Sequence, residues 1–312
     1  MQRRRLLATL PGLAWGIMGC TGHAGGGPVE VEALQPVNER VARIGAYRLD
    51  AAWSLRRGDP RLGGLSGLIV RDGRLFAVSD RGTLVTARLL QTETGKVLGF
   101  ADWTLTDLPL PGGTPDVEDL DGSPESGWVV PVESPVGIVG IAPDGRVRQL
   151  PTPPGMTAAP QNRVVEALTS LEDGSLLALT EGLAAGPGML RGWLIREDRT
   201  LPLRWAVADG FVPVGADRDG DQLYVLERAV SLFGGGFQSR LRVVDLARVN
   251  WVEETVLDGE ERARIDIDPY RENHEGIALE RAGGRLWIWL VSDDNFSPLQ
   301  STRLLRLEVV TR

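Results

Sequence analysis

The sequence predicts an all-β protein: a single β-propeller of four-stranded antiparallel blades, closed by strands from both chain ends. Three observations predict it. First, a short pattern recurs five times, as DGRLFAVSD from Asp72, ESGWVVPVE from Glu125, DGSLLALTE from Asp173, DGDQLYVLE from Asp219 and GGRLWIWLVSD from Gly283. Each copy runs from a turn through a hydrophobic strand to a closing acid, namely Asp80, Glu133, Glu181, Glu227 and Asp293, and these lie 53, 48, 46 and 66 residues apart. Recurrence on that scale marks propeller blades or other arrays of one structural unit. Second, no segment sustains an apolar period of 3.6, so long amphipathic helices are not expected. Third, 39 glycines and 20 prolines over 312 residues suit a chain with many tight turns without reaching low complexity.

Each copy has a leader that reads as a strand entering a core: LSGL ending at Leu68, VEDL at Leu120, VEALT at Thr169 and HEGIAL at Leu279. The fourth copy has FVPVGADRDG in this place and lacks the acid that the second, third and fifth leaders carry, Glu118, Glu166 and Glu275. After the closing acids come further strand-like stretches, among them LVTARLL from Leu84, WLIRE from Trp193 and LRVVDL from Leu241. Leader, hydrophobic strand and two more strands make a four-stranded blade. Five blades are expected, six being the alternative count. The last copy has one good strand after Asp293, TRLLRLEVV from Thr302, and RIGAYRLDAAWSL from Arg43 can supply its missing outer strand. The eight tryptophans beyond residue 19 are read as packing between blades.

Residues 1–19 read as a targeting segment outside the fold. Arg3, Arg4 and Arg5 form a basic start, and the apolar stretch 6–19 is interrupted by Pro11 and Gly12. It is too short to span a bilayer, which takes about 20 apolar residues. It ends in Ile17, Met18, Gly19, Cys20, which resembles the lipobox of bacterial lipoproteins, with Met18 larger than usual. Cys20 is the only cysteine, so an intrachain disulfide is impossible and acylation is its expected use. A plain secretory peptide is the alternative, and the arginine run also resembles a twin-arginine signal. Residues 20–40 are expected to form a flexible tether and 41–312 the propeller, lipid-anchored on the periplasmic side of a bacterial membrane.

Without residues 1–19 the chain carries 31 basic and 42 acidic residues, a formal charge of minus 11. No basic face is apparent, which argues against a nucleic-acid partner. The sequence has no Walker loop, HExxH helix, cysteine cluster or Rossmann fingerprint. It has two histidines, His23 in the tether and His274. A serine triad would therefore pair His274 as base with Ser66 of GGLSGL, although that motif is not the GxSxG elbow.

The acidic leaders are the better candidate. Inner strands of a propeller line its axis, so Glu118, Glu166 and Glu275 should converge there, with Asn162 and Asn273 upstream of two of them. Carboxylates gathered in a confined mouth either rise in pKa or recruit a cation, and calcium accepts such oxygen ligands in flexible geometry. Those five residues are the expected metal ligands. Glu166, Glu275 and His274 are the expected catalytic groups, and Arg81, Arg163 and Arg228 are expected to orient an anionic substrate. The alternative for each glutamate is a structural lock between blades.

The segments GGLSGL with GRLFAVSDRG, NRVVEALTSLEDGSLLALTEG, and NHEGIALE with LWIWLVSDDNFSPLQSTRLLRLE together resemble the bacterial phytase-like family, described as having esterase-like activity. The resemblance covers roughly residues 63–307, and SDDNF is its most specific part. It implies an exported β-propeller hydrolysing phosphate or carboxylate esters. Val164 and Val165 replace the family's usual glycine and aromatic before Glu166, and Ser301 replaces an arginine expected after Gln300. Two function classes follow: a metal-assisted ester hydrolase, possible with calcium or another divalent cation, or a noncatalytic surface propeller that binds a protein or polymer.

Overall fold

The computed structural model describes residues 28–34, 43–113, 115–159, 163–197, 199–231 and 236–310. Five antiparallel sheets follow one another along the chain and make the five blades. Blade 1 spans 65–107, blade 2 spans 121–149, and blade 3 spans 165–206 with Thr255–Leu257 added in parallel at its edge. Blade 4 spans 212–265 and blade 5 is led by His274–Ala282. The described residues hold no α-helix.

Closure follows the expectation. Thr302–Val309 pairs along its whole length with Tyr47–Arg57, so the N-terminal part of the chain supplies the fourth strand of blade 5. This pairing covers an edge that would otherwise invite intermolecular strand addition. One expectation needs correction. Within the stretch read as a flexible tether, Val29–Ala33 forms a fifth strand on blade 5, paired with 53–57, because its alternating VEVEA matches a sheet edge. The structure does not describe residues 1–27, so the targeting segment lies outside the described residues.

The hairpins are built as the turn residues dictate. Arg71 pairs with Arg74, leaving Asp72 and Gly73 in a two-residue turn with φ of 50° and 69°, the geometry that favours Asp-Gly. The inner strands then break register once each, skipping Ser66 in blade 1, Glu166 in blade 3, Val214 in blade 4 and Glu275 in blade 5. Blade 2 differs. Its leader is one isolated bridge, Val117 to Val132, before the short strand Asp121–Ser123. Here the Asp119 carboxylate accepts hydrogen bonds from the backbone N–H groups of Leu120 and Leu168 and so stitches blade 2 to blade 3.

A bulge pushes one side chain toward the axis and brings the following backbone close to the next blade. The residues after the bulges in blades 1, 3, 4 and 5 are Gly67, Ala167, Gly215 and Gly276, all small. A Cβ on Gly215 would lie 2.5 Å from the carbonyl oxygen of Glu275.

Tryptophans fill the seams between blades, as expected. Trp53 stacks on Trp289 at 5.7 Å, with Phe100 edge-on to Trp53 at 5.1 Å. Trp193, Trp205 and Trp287 are fully buried. Two seams also carry ions. Arg306 lies 3.6 Å above the Trp287 ring and pairs with Asp50 and Glu280. Glu227, wholly buried, accepts from Trp205 Nε1 at 2.7 Å and pairs with Arg240 and Arg242.

Candidate active site

The register breaks of blades 1, 3, 4 and 5 single out Ser66, Glu166, Val214 and Glu275, and Glu118, next to the Val117 bridge, is their equivalent in blade 2; Val214 packs into the core. A second ring comes from the neighbouring strands. The residue that follows the partner of each leader is Asp80 in blade 1, Glu133 in blade 2, Glu181 in blade 3, Arg228 in blade 4 and Asp293 in blade 5. Glu227, the closing acid of the fourth repeat, is not in this ring. Asp72 is the first turn residue of blade 1, whereas in blade 4 Asp219 is still paired, with Gln222. The turn therefore falls one residue later, Glu227 swings into the blade seam, and Arg228 takes the ring position.

The three leader glutamates meet. Glu118 and Glu166 lie within hydrogen-bonding distance of each other, and Glu275 acts electrostatically on both. Burial first, then the charge of Asp116 for Glu118 and of Glu118 for Glu166, pushes both carboxyls well above the usual range. Burial also raises Asp80 to about 6, with Arg81 opposing, and raises Asp293 to about 8, helped by the charge of Glu275. Asp116 is raised by burial.

Arg228 is the cation inside this mouth. It pairs with Glu275, reaches Glu181 at 3.3 Å and donates to the Asn273 side-chain oxygen at 2.8 Å. Burial works against its charge, but the carboxylates of Glu275, Glu181 and Glu166 outweigh that and hold it protonated. Asn273 Nδ2 donates to Glu275 at 2.9 Å and to Asp293 at 3.3 Å. Asn273 thereby bridges Arg228, Glu275 and Asp293. Asn162 lies outside the described residues.

The set best placed for a cation is partly different from the expected one. Ligand oxygens of Asp116, Glu118 and Glu133 all lie within 4.8 Å of one another. Such a span suits calcium, whose oxygen ligands sit at about 2.3–2.6 Å from the ion. Asp116 and Glu133 escaped the sequence reading as site residues. Glu133 had a signal, since it is a closing acid of the repeat, whereas Asp116 lies in the loop before the blade 2 leader and repeats nowhere.

The serine triad is not assembled. Ser66 Oγ donates to the Val117 carbonyl at 2.6 Å. His274 is wholly buried, with Nδ1 3.0 Å from Ser239 Oγ on blade 4. Burial, then Arg303, pushes it down to about 3, so it is a neutral imidazole in a blade seam, with no access to the mouth as a base.

On the rim, the two most specific segments of the sequence pack on each other. Asn295 and Phe296 both adopt left-handed φ, 48° and 49°, and the Phe296 ring lies between two guanidiniums, 3.5 Å from Arg81 and 4.9 Å from Arg57. Arg57 is paired with Asp294 at 2.6 Å. Asp294 also accepts from the Gly64 N–H at 3.1 Å. Gly64 has φ +59°, and a Cβ there would sit 2.4 Å from the Phe296 ring and 2.5 Å from Asp80 Oδ1. Gly64→Ala is therefore expected to cost about 2 kcal/mol and to release Phe296 from Arg81, read as a lower melting temperature with increased Phe296-loop proteolysis. Arg163 is exposed on the same rim, its stem against Gly182. Arg81 and Arg163 have no ion-pair partner among the described residues.

Comparison with known proteins adds the family. The phytase-like model, described as esterase-like activity of phytase, matches residues 60–296. The chain belongs to the phytase-like family. The match runs from the Gly63-Gly64 turn region to Phe296, so both rim segments of this phytase-like propeller fall inside it. No curated protein matches. Among solved structures, it is similar to the RS223 β-xylosidase at 12% identity, covering 84% of this chain and 94% of that one with a TM-score of 0.43. It is also similar to a GH43_1 enzyme from Xanthomonas citri at 10% identity, covering 85% and 91% with a TM-score of 0.44. A third is virginiamycin B lyase from Staphylococcus aureus, at 11% identity, 90% and 100% coverage and a TM-score of 0.41.

Proposed function

We propose that this phytase-like propeller is a hydrolase of phosphate or carboxylate esters, working at the axial mouth with a divalent cation of the calcium type. The observation that carries the reading is the imbalance of charge. Asp80, Asp116, Glu118, Glu133, Glu166, Glu181, Glu275 and Asp293 gather where Arg228 is the only cation of the two rings, and three of them set oxygens at ligand spacing. A structural lock needs no such excess, since repulsion among buried carboxylates destabilises the fold unless a cation offsets it.

In this reading Asp116, Glu118 and Glu133 hold the ion, which polarises an ester oxygen when bound. Arg81 and Arg163 on the rim receive the anionic part of the substrate. Glu166, beside Glu118 but outside the ligand set, gives its proton to the leaving oxygen and regains one from the attacking water. Arg228, with Asn273, holds Glu275 and Glu181 in place beside them. We further propose that Cys20 is acylated and holds the propeller in the bacterial cell envelope.

Metal analysis of the purified protein, with melting curves in chelator and in calcium, tests the site. Calcium at about 100 times its dissociation constant is expected to add about 2.7 kcal/mol, or about 5–10 °C for a domain of this size. Turnover on a panel of phosphate and carboxylate esters should need the ion. A protein without bound metal, calcium response or turnover would leave a noncatalytic ligand-binding propeller instead.

A further inference from the structure

The described chain begins at Pro28, whose carbonyl accepts from the N–H groups of Gly58 and Asp59 at 3.1 and 3.0 Å. This anchorage lies on the same end of the propeller as the acidic mouth. Val29 pairs with Arg57, and Arg57 reaches Asp294, the neighbour of ring residue Asp293. From there Val29–Ala33 runs away from the mouth along blade 5. Cys20 is eight residues before Pro28. Fully extended, that stretch reaches at most about 29 Å. A folded domain of this size has a radius of gyration of about 19 Å. That reach is shorter than the body's diameter, at least about 38 Å for such a radius, so the face from which the tether departs is the face nearest the anchor.

The mouth-bearing face also carries side chains suited to a lipid interface. Leu299, in the connection after Asp293, is 93% exposed, Val230, two residues beyond Arg228, is 60% exposed, and Ile267, in the connection before His274, is 46% exposed. Apolar exposure alone does not choose a face, since Leu98 at the opposite end is 66% exposed. The departure point of the tether does.

We infer that the propeller docks on the lipid surface through its mouth-bearing face, with Leu299, Val230 and Ile267 in contact with the headgroup layer and the acidic mouth opening toward it. This rests on the reading of Cys20 as the acylated residue. The test uses the full-length protein, purified from the membrane fraction and reconstituted in phosphatidylethanolamine and phosphatidylglycerol vesicles that contain a spin-labelled lipid quencher. One fluorophore is attached in Leu299→Cys and, separately, in Asp144→Cys, which lies in an exposed turn at the opposite end. Loss of fluorescence at position 299 and none at 144 is the expected result, with Val230→Cys behaving like position 299. Equal quenching, or stronger quenching at 144, overturns the docking while leaving the anchor intact. Recovery of the unmodified protein in the soluble fraction, or unchanged membrane association of Cys20→Ser, overturns the anchor and the docking with it.

Discussion

Replacing Glu227 by leucine is expected to destabilise the propeller by about 3–5 kcal/mol, the usual cost of removing one partner from a buried ion network. The side chain is 0% exposed and is shared by Trp205, Arg240 and Arg242. Its loss removes the one buried carboxylate that both guanidiniums share in the seam between blades 3 and 4, leaving Arg240 to Glu261 and Arg242 to Asp258, which are more exposed, with Arg240 stacked on Phe211 and Arg242 on Trp205. In a domain that unfolds with a total of about 5–15 kcal/mol, the melting temperature should fall by about 10 °C. Glu227→Gln keeps the acceptor for Trp205 and should cost less. Both are read by thermal melts, and a leucine variant that melts like wild type would show that the seam is held by packing alone. Because Glu227 is outside the ring, neither change should alter calcium binding.

The second expected result concerns pH. Asp80, at about 6, and Asp293, at about 8, bind protons more tightly folded than unfolded. Stability from these two groups is therefore full below pH 4, the ordinary carboxylate range, and is lost as pH rises through about 6 and then about 8. Glu118, Glu166 and Glu275 are shifted in the same direction and add to the loss. In chelator the melting temperature should fall between pH 4 and 9, by the equivalent of about 2–4 kcal/mol once solvent screening is allowed for. Saturating calcium should flatten the slope, since a bound cation favours the ionised carboxylates. Glu166→Gln removes one acid from the cluster and should flatten the chelator curve while weakening calcium binding and ester turnover together. A wild-type curve that rises with pH in chelator would mean that the carboxylates are stabilised by cations within the protein.

Much of this is visible in the sequence because a propeller repeats. Glu118, Glu166 and Glu275 recur at one place in three leaders, and equivalent places on inner strands converge, so their meeting could be inferred without coordinates. Closure was equally legible, since an array with one strand missing at the end and one spare strand at the start has a single economical pairing. Val29–Ala33 was not, because the sequence around it is rich in glycine and proline and the strand exists through its pairing with 53–57. The serine triad failed for a related reason. The bulge carries Glu275 to the axis, while the adjacent His274 is turned into the seam against Ser239.

The sequence by itself determined the blade repeat, the closure and the gathering of carboxylates at one end of an axis, because each depends only on equivalence between repeats, and the structure settled the count at five. Tertiary structure decided which residue stands where in the mouth. A turn one residue later in blade 4 exchanges Glu227 for Arg228 and gives the acidic mouth its cation, and a non-repeating loop adds Asp116 beside Glu118 and Glu133. Strand side chains alternate between faces with a period of two, so a shift of one residue in register reverses the direction in which a side chain points.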